Sequence, residues 1–345
     1  MKTIEITGIQ SSSSIMIGER LDQLQAYIPA EKAIIVTDSN VRQIYESQFP
    51  PFPVLEIGLG ETIKTLSTIE SLYRGFLELG ADRSTFIIGI GGGIVCDITG
   101  FAASTFLRGL EFGFVSSSLL SQVDASVGGK NGVNYNSYKN IIGTFNQPRF
   151  VICDPGMLKT LPANELSCGF AEIVKHGAIA DEEHFAYLED HVAEALALDE
   201  EVITRLVHDS VSIKAAVVNK DEREKGERRK LNFGHTFGHA VEKITGRVHG
   251  DAVSIGMVVA ASLSHQRGLL DKQSVERLIT LLRRLCLPIH VDMERSRVLD
   301  ALKKDKKREG DHINFILLKR IGEAVVEEIT ITELENVLDD LHQYR

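Results

Sequence analysis

The chain has no tryptophan, eight prolines and four cysteines among 345 residues. It contains no apolar run of the ~18 residues needed to cross a bilayer as a helix, so its sequence does not read as a helical membrane protein. Its opening, MKTIEITGIQ, lacks the apolar centre of a secretion signal and reads as a strand. The cysteines, Cys96, Cys153, Cys168 and Cys286, form neither a close pair nor a metal-type spacing. They suit a reducing cytoplasm, where isolated cysteines behave as small apolar residues. Positive charge is also in deficit. Lys and Arg total 38 against 48 Asp and Glu, a formal net charge of -10. That balance argues against nucleic acid or an anionic membrane surface as a general partner. It leaves room for an anionic small substrate, because the local field of a pocket can oppose the global one. There is no internal repeat and no low-complexity tract.

What is present is ordinary for a soluble enzyme: 43% hydrophobic and 25% charged residues. The length exceeds one typical core, so two domains are expected. The first half alternates strand-like and helix-like pieces: KAIIVTDSN (32–40), VLEIGLG (54–60), TLSTIESLYRGFLELG (65–80) and STFIIGIGGG (84–93). Such alternation predicts a parallel sheet flanked by helices. Beyond Asp154-Pro155 long periodic segments dominate, at 164–179, 182–197, 199–219, 227–245, 251–268, 272–286, 294–303 and 331–343. A short β pair, INFILLKRIGEAVVEEI, lies near the C-terminus. The expected fold class is α/β, with a parallel-sheet domain over 1–153 and a mostly α-helical domain over 154–345.

Three stretches carry chemistry. FIIGIGGGIVCDITGFAA (86–103) reads as strand, glycines, helix. Glycines let a backbone approach a ligand, and a helix N-terminus offers free N–H groups to a pyrophosphate. The spacing is not the usual dinucleotide fingerprint, so alone it is equally a tight turn. Asp38, ending a strand, is placed to accept from ribose hydroxyls, and Glu61 and Lys64 lie at the mouth of another strand. The segment QVDASVGGKNGVNYNSYKNIIGTFNQP (122–148) has little helical periodicity and reads as a long glycine- and asparagine-rich loop. Its Lys130, Lys139 and Asn140, with Arg108 upstream, suit a carboxylate or phosphate.

The third stretch is LNFGHTFGHAVEK (231–243). Glu224, Arg228, Asn232, His235 and His239 step by four, four, three and four, which predicts one stripe on one helix. A solvated face is the simpler reading for one or two such residues, since polar groups are costly to bury unpaired. The intervening Phe233, Gly234, Phe237 and Gly238 point instead to a close-packed site, because each glycine costs a helix interior about 1 kcal/mol relative to alanine. Histidines at i and i+4 resemble a zinc-binding pair without the adjacent glutamate base. One or both could bind metal, with further ligands from His249, at the start of the next helix, or Glu172, one turn before Lys175. A three-ligand Glu/His/His site with open positions suits catalytic zinc. His176, His184, His191, His208, His265, His290, His312 and His342 lack such surroundings and read as ordinary core or surface residues.

Taken together, GGGIVCDITGFAASTFLRG, LLSQVDASVGGKNGVN, KNIIGTFNQP, LPANELSCGFAEIVKHG, LNFGHTFGHAVE and HGDAVSIGM make the chain resemble the 3-dehydroquinate synthase family of sugar phosphate cyclases, over nearly its whole length. The resemblance implies a Rossmann-like NAD-binding domain, a helical metal- and substrate-binding domain, an active site in the cleft between them, and a cytoplasmic homodimer. It implies Glu172, His235 and His249 as ligands of one divalent metal ion, zinc or cobalt. It implies NAD contacts from Asp38, Glu61, Lys64, Gly92, Gly93, Asp97, Ser117 and Ser118, with Lys130 and Lys139 also near the cofactor. Substrate contacts or catalytic groups would be Asp124, Lys130, Lys139, Asn140, Lys175, Lys214, Arg228, Asn232, His239 and Lys306, with Arg108 reaching from the neighbouring subunit. The chain departs from the family pattern at Ser116-Ser117-Ser118, Cys96 and Tyr135.

The implied reaction converts 3-deoxy-D-arabino-heptulosonate 7-phosphate to 3-dehydroquinate and phosphate. It proceeds by transient oxidation, phosphate elimination, re-reduction and intramolecular aldol closure. The competing readings are another sugar phosphate cyclase, of the valiolone or 2-deoxy-scyllo-inosose type, a metal-dependent alcohol dehydrogenase of the glycerol dehydrogenase type, and an inactive NAD-binding protein. Asn232, His239 and the KKDKK segment with Lys306 favour the 3-dehydroquinate synthase reaction over the other cyclases, the Lys130/Lys139 segment opposes the dehydrogenase, and the intact ligand and lysine set opposes the inactive protein.

Overall fold

The computed structural model describes residues 1–9, 11–136, 138–291, 308–309, 312–330 and 333. It divides into two compact units, 1–161 with 203–223, and 162–202 with 224–345. The chain passes between them three times, where the sequence had suggested one cut near 153–155.

The first unit is built on β1 (Lys2–Thr7), β2 (Ser12–Ile17), β3 (Ala33–Asp38), β4 (Val54–Ile57), β5 (Phe86–Gly91), β6 (Phe112–Ser116), β7 (Lys130–Tyr135), β8 (Tyr138–Phe145) and β9 (Phe150–Cys153), with α1 (Ser39–Tyr45), α2 (Leu66–Glu78) and α3 (Gly93–Thr105). Seven strands form one sheet in the order β1-β2-β9-β6-β5-β3-β4. β1 is antiparallel to β2, and the other neighbours are parallel. The central strands AIIVTD and FIIGIG are continuous apolar runs because both faces of a parallel sheet are covered. Ile35, Ile88, Ile90, Val115, Phe150 and Ile152 are buried together in the core.

The lysine segment departs from its expected irregular form. After a single wide turn at Ser121–Ala125 it becomes the antiparallel β7–β8 hairpin. The glycines that suggested a loop have a strand role. Gly132 and Gly143 face each other across the ladder, where a Cβ on Gly132 would lie 2.5 Å from the Ile142 carbonyl oxygen.

The second unit holds α4 (Ala163–Ala180), α5 (Glu182–Asp190), α6 (Val192–Leu196), α8 (His235–Thr245), α9 (His249–Gln266) and α10 (Lys272–Arg284), followed by β10 (Arg308–Glu309), β11 (His312–Arg320) and β12 (Glu323–Thr330) in a three-stranded sheet. α7 (Glu200–Lys220) begins in this unit and continues in the first. The periodic stretch 182–197 is two helices, parted at His191 (φ -119°, ψ 28°). The expected helices over 294–303 and 331–343 lie outside the described residues, Glu333 apart.

The single helical stripe through 224–239 is also broken. A 3-10 turn covers Glu227–Asn232, Gly234 adopts a left-handed φ of 77°, and α8 begins at His235. Glu224 itself lies at φ 58°. The reason is close approach. A Cβ on Gly234 would lie 2.7 Å from the Met257 side chain and 2.8 Å from the Val253 carbonyl oxygen. One on Gly238 would lie 2.9 Å from the Ala252 carbonyl oxygen, and one on Gly256 would overlap the Gly234 carbonyl oxygen. Gly250 likewise admits the backbone of Cys168 on α4. Glycine thus draws α4, α8 and α9 together at their histidine-bearing ends. Gly256→Ala should push α8 from α9 and destabilise the fold by roughly 1–3 kcal/mol, the usual cost of overpacking. An unchanged denaturant midpoint would show that the two helices have slack.

Candidate active site and metal centre

α4 carries Glu172 and Lys175 on one inward face. Both are buried, at 0% and 1% exposure. The Lys175 ammonium forms an ion pair with Glu172 Oε2. The other carboxylate oxygen, Oε1, lies 3.4 Å from His235 Nε2 and 3.4 Å from His249 Nε2. Ligand atoms about 2.1 Å from an ion at tetrahedral angles stand about 3.4 Å apart. Each imidazole nitrogen therefore stands from Oε1 at the spacing of two ligands of one ion, and the three residues form a possible metal-binding cluster. The set of one carboxylate and two imidazoles suits zinc, and three protein ligands leave a position for substrate. His235 is oriented through its other nitrogen, 3.2 Å from the Phe233 carbonyl oxygen, the usual way a ligating imidazole is fixed.

His239 lies one turn beyond His235, with ring centroids 5.5 Å apart at 84°. It is exposed and is absent from the cluster of potential ligands. Of the pair His235 and His239, His235 alone sits with Glu172 and His249. The sequence reasoning missed Glu242, whose carboxylate lies 3.8 Å from His249 Nδ1. Its signal was available, since Glu242 follows His235 by seven residues on the same helix face. Asn232 donates to Glu224 through Nδ2 at 2.5 Å. The pair bridges the 3-10 turn, and Gly234 separates both residues from α8. Arg228 is buried at 2% exposure.

In the first unit the glycine turn lies between β5 and α3. Gly92 precedes the first turn of α3, and Gly93 opens it without the Cβ that would lie 2.7 Å from Ala125. Ser117 donates its N–H to the Gly91 carbonyl at 2.9 Å, and Ser118 bonds Ser121. Asp38 ends β3 and caps α1 by accepting from Val41 N–H at 2.9 Å. Burial raises its pKa, against the lowering effect of that bond. Lys64 is buried and reaches Asp97 at 2.5 Å and Asn140 Oδ1 at 2.5 Å. Burial raises the Asp97 pKa, with Lys64 opposing it. Glu61 accepts from Asn134 Nδ2 at 2.6 Å. So Glu61, Lys64, Asp97 and Asn140 form one group. Asp124 and Lys214 form a separate ion pair. Lys130 and Lys139 lie exposed on the hairpin, and exposed Arg108 occupies a left-handed turn at φ 70°. Lys306 lies outside the described residues. The three buried cysteines serve packing. Burial pushes the Cys168 thiol up to about 12 and the Cys96 and Cys153 thiols higher still.

Two family patterns match the sequence in tandem. The one described as 3-dehydroquinate synthase N-terminal covers residues 54–168, and the one described as 3-dehydroquinate synthase C-terminal covers 169–308. The 3-dehydroquinate synthase of Halorhodospira halophila is 42% identical over 328 residues, 92% of this chain and 93% of that one. The chain belongs to the 3-dehydroquinate synthase family. Among solved structures, the 2-epi-5-epi-valiolone synthase of Streptomyces hygroscopicus subsp. jinggangensis 5008, with NAD+ and Zn2+ bound, superposes with a TM-score of 0.89 at 27% identity, all of both chains being covered. A 2-deoxy-scyllo-inosose synthase complexed with carbaglucose-6-phosphate, NAD+ and Co2+ superposes at 0.88 and 27%, over 98% of this chain and 100% of that one. The expected fold class agrees with these neighbours, and no described helix is long and apolar enough to cross a membrane.

Two predictions follow from the metal geometry. Burial works against a charged His249, but the Glu172 and Glu242 carboxylates outweigh it and push its pKa up to about 9. The metal-free ring is therefore protonated at neutral pH, whereas a ligand imidazole must be neutral. Metal affinity should rise about tenfold per pH unit between pH 7 and 9, with proton release on uptake, and level off above. A zinc titration showing no pH dependence in that window would contradict this. Second, His235→Ala should lose its metal, while His239→Ala should keep it and lose most turnover. Metal analysis beside an activity assay separates a ligand from a substrate contact, and His239→Ala with both intact would leave His239 a packing residue.

Proposed function

We infer that this family member is a 3-dehydroquinate synthase that converts 3-deoxy-D-arabino-heptulosonate 7-phosphate to 3-dehydroquinate and phosphate. The observation that carries the reading is the buried Glu172 carboxylate with two imidazole nitrogens each 3.4 Å from one oxygen, in a chain 42% identical to a 3-dehydroquinate synthase. Glu172, His235 and His249 would hold the divalent ion, zinc or cobalt, which when bound supplies a Lewis acid for a substrate hydroxyl. Asp38, Glu61, Lys64, Asp97, Ser117, Ser118 and the backbone at Gly92 and Gly93 would hold NAD, which supplies a transient oxidation with no net redox change.

The remaining chemistry falls to the chain's own side chains. Lys130, Lys139, Lys175, Lys214, Lys306, Arg228 and Arg108 are the cations for a substrate bearing a carboxylate and a phosphate, through charge-assisted hydrogen bonds. Asn140, Asn232 and Asp124 orient its hydroxyls. His239, exposed one turn from a ligand, is suited to hold or move a proton beside the leaving phosphate. The burial of Glu172 and Lys175 keeps water from the ligand carboxylate. Arg108, presented on an exposed left-handed turn, would serve the neighbouring subunit of a homodimer. The cysteine usage and charge fit a cytoplasmic enzyme without nucleic-acid or membrane partners.

The deciding experiment supplies the heptulosonate phosphate and NAD. Phosphate release without NADH accumulation is expected. Lasting NADH formation from a simple alcohol would instead mark a dehydrogenase, and turnover only of other sugar phosphates would mark a different cyclase.

A further inference from the structure

Asn134 stands where the β7–β8 ladder loses register. Val133 pairs with Ile142 and Tyr135 with Tyr138, so Asn134 alone faces Lys139, Asn140 and Ile141. Bulges of this kind re-aim the side chains they carry. Here the bulge is held open by the hydrogen bonds of Asn134 itself. Its backbone N–H leaves the ladder and donates to the Lys64 carbonyl at 2.8 Å. Its Nδ2 donates to the Glu61 carboxylate at 2.6 Å. Its Oδ1 accepts from the Asn140 N–H at 2.8 Å.

The last bond replaces a cross-strand partner and holds Asn140 in a left-handed conformation, φ 50°, which asparagine tolerates better than most residues with a Cβ. Asn140 then offers Oδ1 to the Lys64 ammonium, which also reaches Asp97. A circuit runs Glu61, Asn134, Asn140, Lys64, Asp97. The chemistry at the first link needs an amide. A carboxylate only accepts and a backbone N–H only donates, so the residue between them must donate on one side and accept on the other. Asparagine does both from one short side chain.

We propose that Asn134 is a positioning residue that ties the NAD-binding group of Glu61, Lys64 and Asp97 to the substrate-binding bulge of Lys139 and Asn140, setting both before either ligand arrives. This rests on the functional reading above.

The test compares Asn134→Ala and Asn134→Asp with the unaltered enzyme. It measures NAD affinity without sugar phosphate, KM and kcat for the heptulosonate phosphate, and the thermal midpoint. Alanine removes both side-chain bonds, so NAD Kd and substrate KM should each rise on the order of tenfold, with kcat changed far less. Aspartate keeps the acceptor for Asn140 but sets a like charge against Glu61. It should weaken NAD as alanine does while holding the substrate KM within about threefold. Should alanine prevent folding, aspartate carries the test alone through that split. A lower thermal midpoint with NAD Kd and KM both unchanged would reduce Asn134 to a structural residue and overturn the proposal. So would aspartate raising KM while sparing NAD. An unaltered enzyme that binds no NAD overturns the functional reading instead; one that binds NAD as tightly as its alanine variant overturns the role of Asn134 alone.

Discussion

The structure of the second unit turns on one buried carboxylate. Glu172 has no exposed surface, and an isolated ionised carboxylate in an apolar interior is strongly disfavoured. Three cationic or potentially cationic groups, Lys175, His235 and His249, converge on it. Removing the Lys175 ammonium would leave the carboxylate without its permanent cation, and breaking such a buried pair typically costs about 3–5 kcal/mol. A divalent ion resolves the same conflict more completely, because it binds both oxygen and nitrogen donors and leaves the imidazoles neutral. The arrangement has the donor set of a metal site.

That convergence depends on how closely three helices approach. Gly234, Gly238, Gly250 and Gly256 all sit where a Cβ would meet a neighbouring backbone. They place α8 and α9 near enough for His235 and His249 to share one oxygen of Glu172. Of these, Gly238, Gly250 and Gly256 lie inside helices and count against helix propensity, so local preference is overridden by tertiary contact. The gain comes from the geometry of the histidine-bearing ends, where a displacement of an ångström would spoil a ligand set.

Much of this was legible in the sequence, for identifiable reasons. Central parallel strands such as AIIVTD and FIIGIG are covered on both faces, so their apolar runs announce them. Helices α4 and α9 carry Glu172 and His249 at the places periodicity predicted. The stripe through 224–239 failed because spacing is blind to one left-handed residue, and Gly234 ends the register there. The hairpin at 130–145 was missed because Gly132 and Gly143, which allow its strands to meet, are the residues that usually mark loops. Glu242 and Asn134 went unread because their partners, His249 Nδ1 and Glu61, become neighbours only after folding. Groups with the chemistry to bind ligands stand out in a sequence more readily than the groups that hold them in place.

The charge balance joins the two units to one chemical problem. A chain of net charge -10 that takes an anionic substrate cannot rely on its overall field. Three of the lysines assigned to ligands are each held by a carboxylate: Lys64 by Asp97, Lys175 by Glu172 and Lys214 by Asp124. Pairing offsets the cost of burying the ammonium charge, and it fixes the nitrogen in space. It also cancels most of the net positive charge. Such a lysine offers an incoming anion directed N–H donors more than long-range attraction. The pair at Glu172 differs from the other two, because an ion there would take up the carboxylate's charge and leave the Lys175 ammonium with a net positive surrounding. An ion bound there would change the charge around Lys175 through a single side chain.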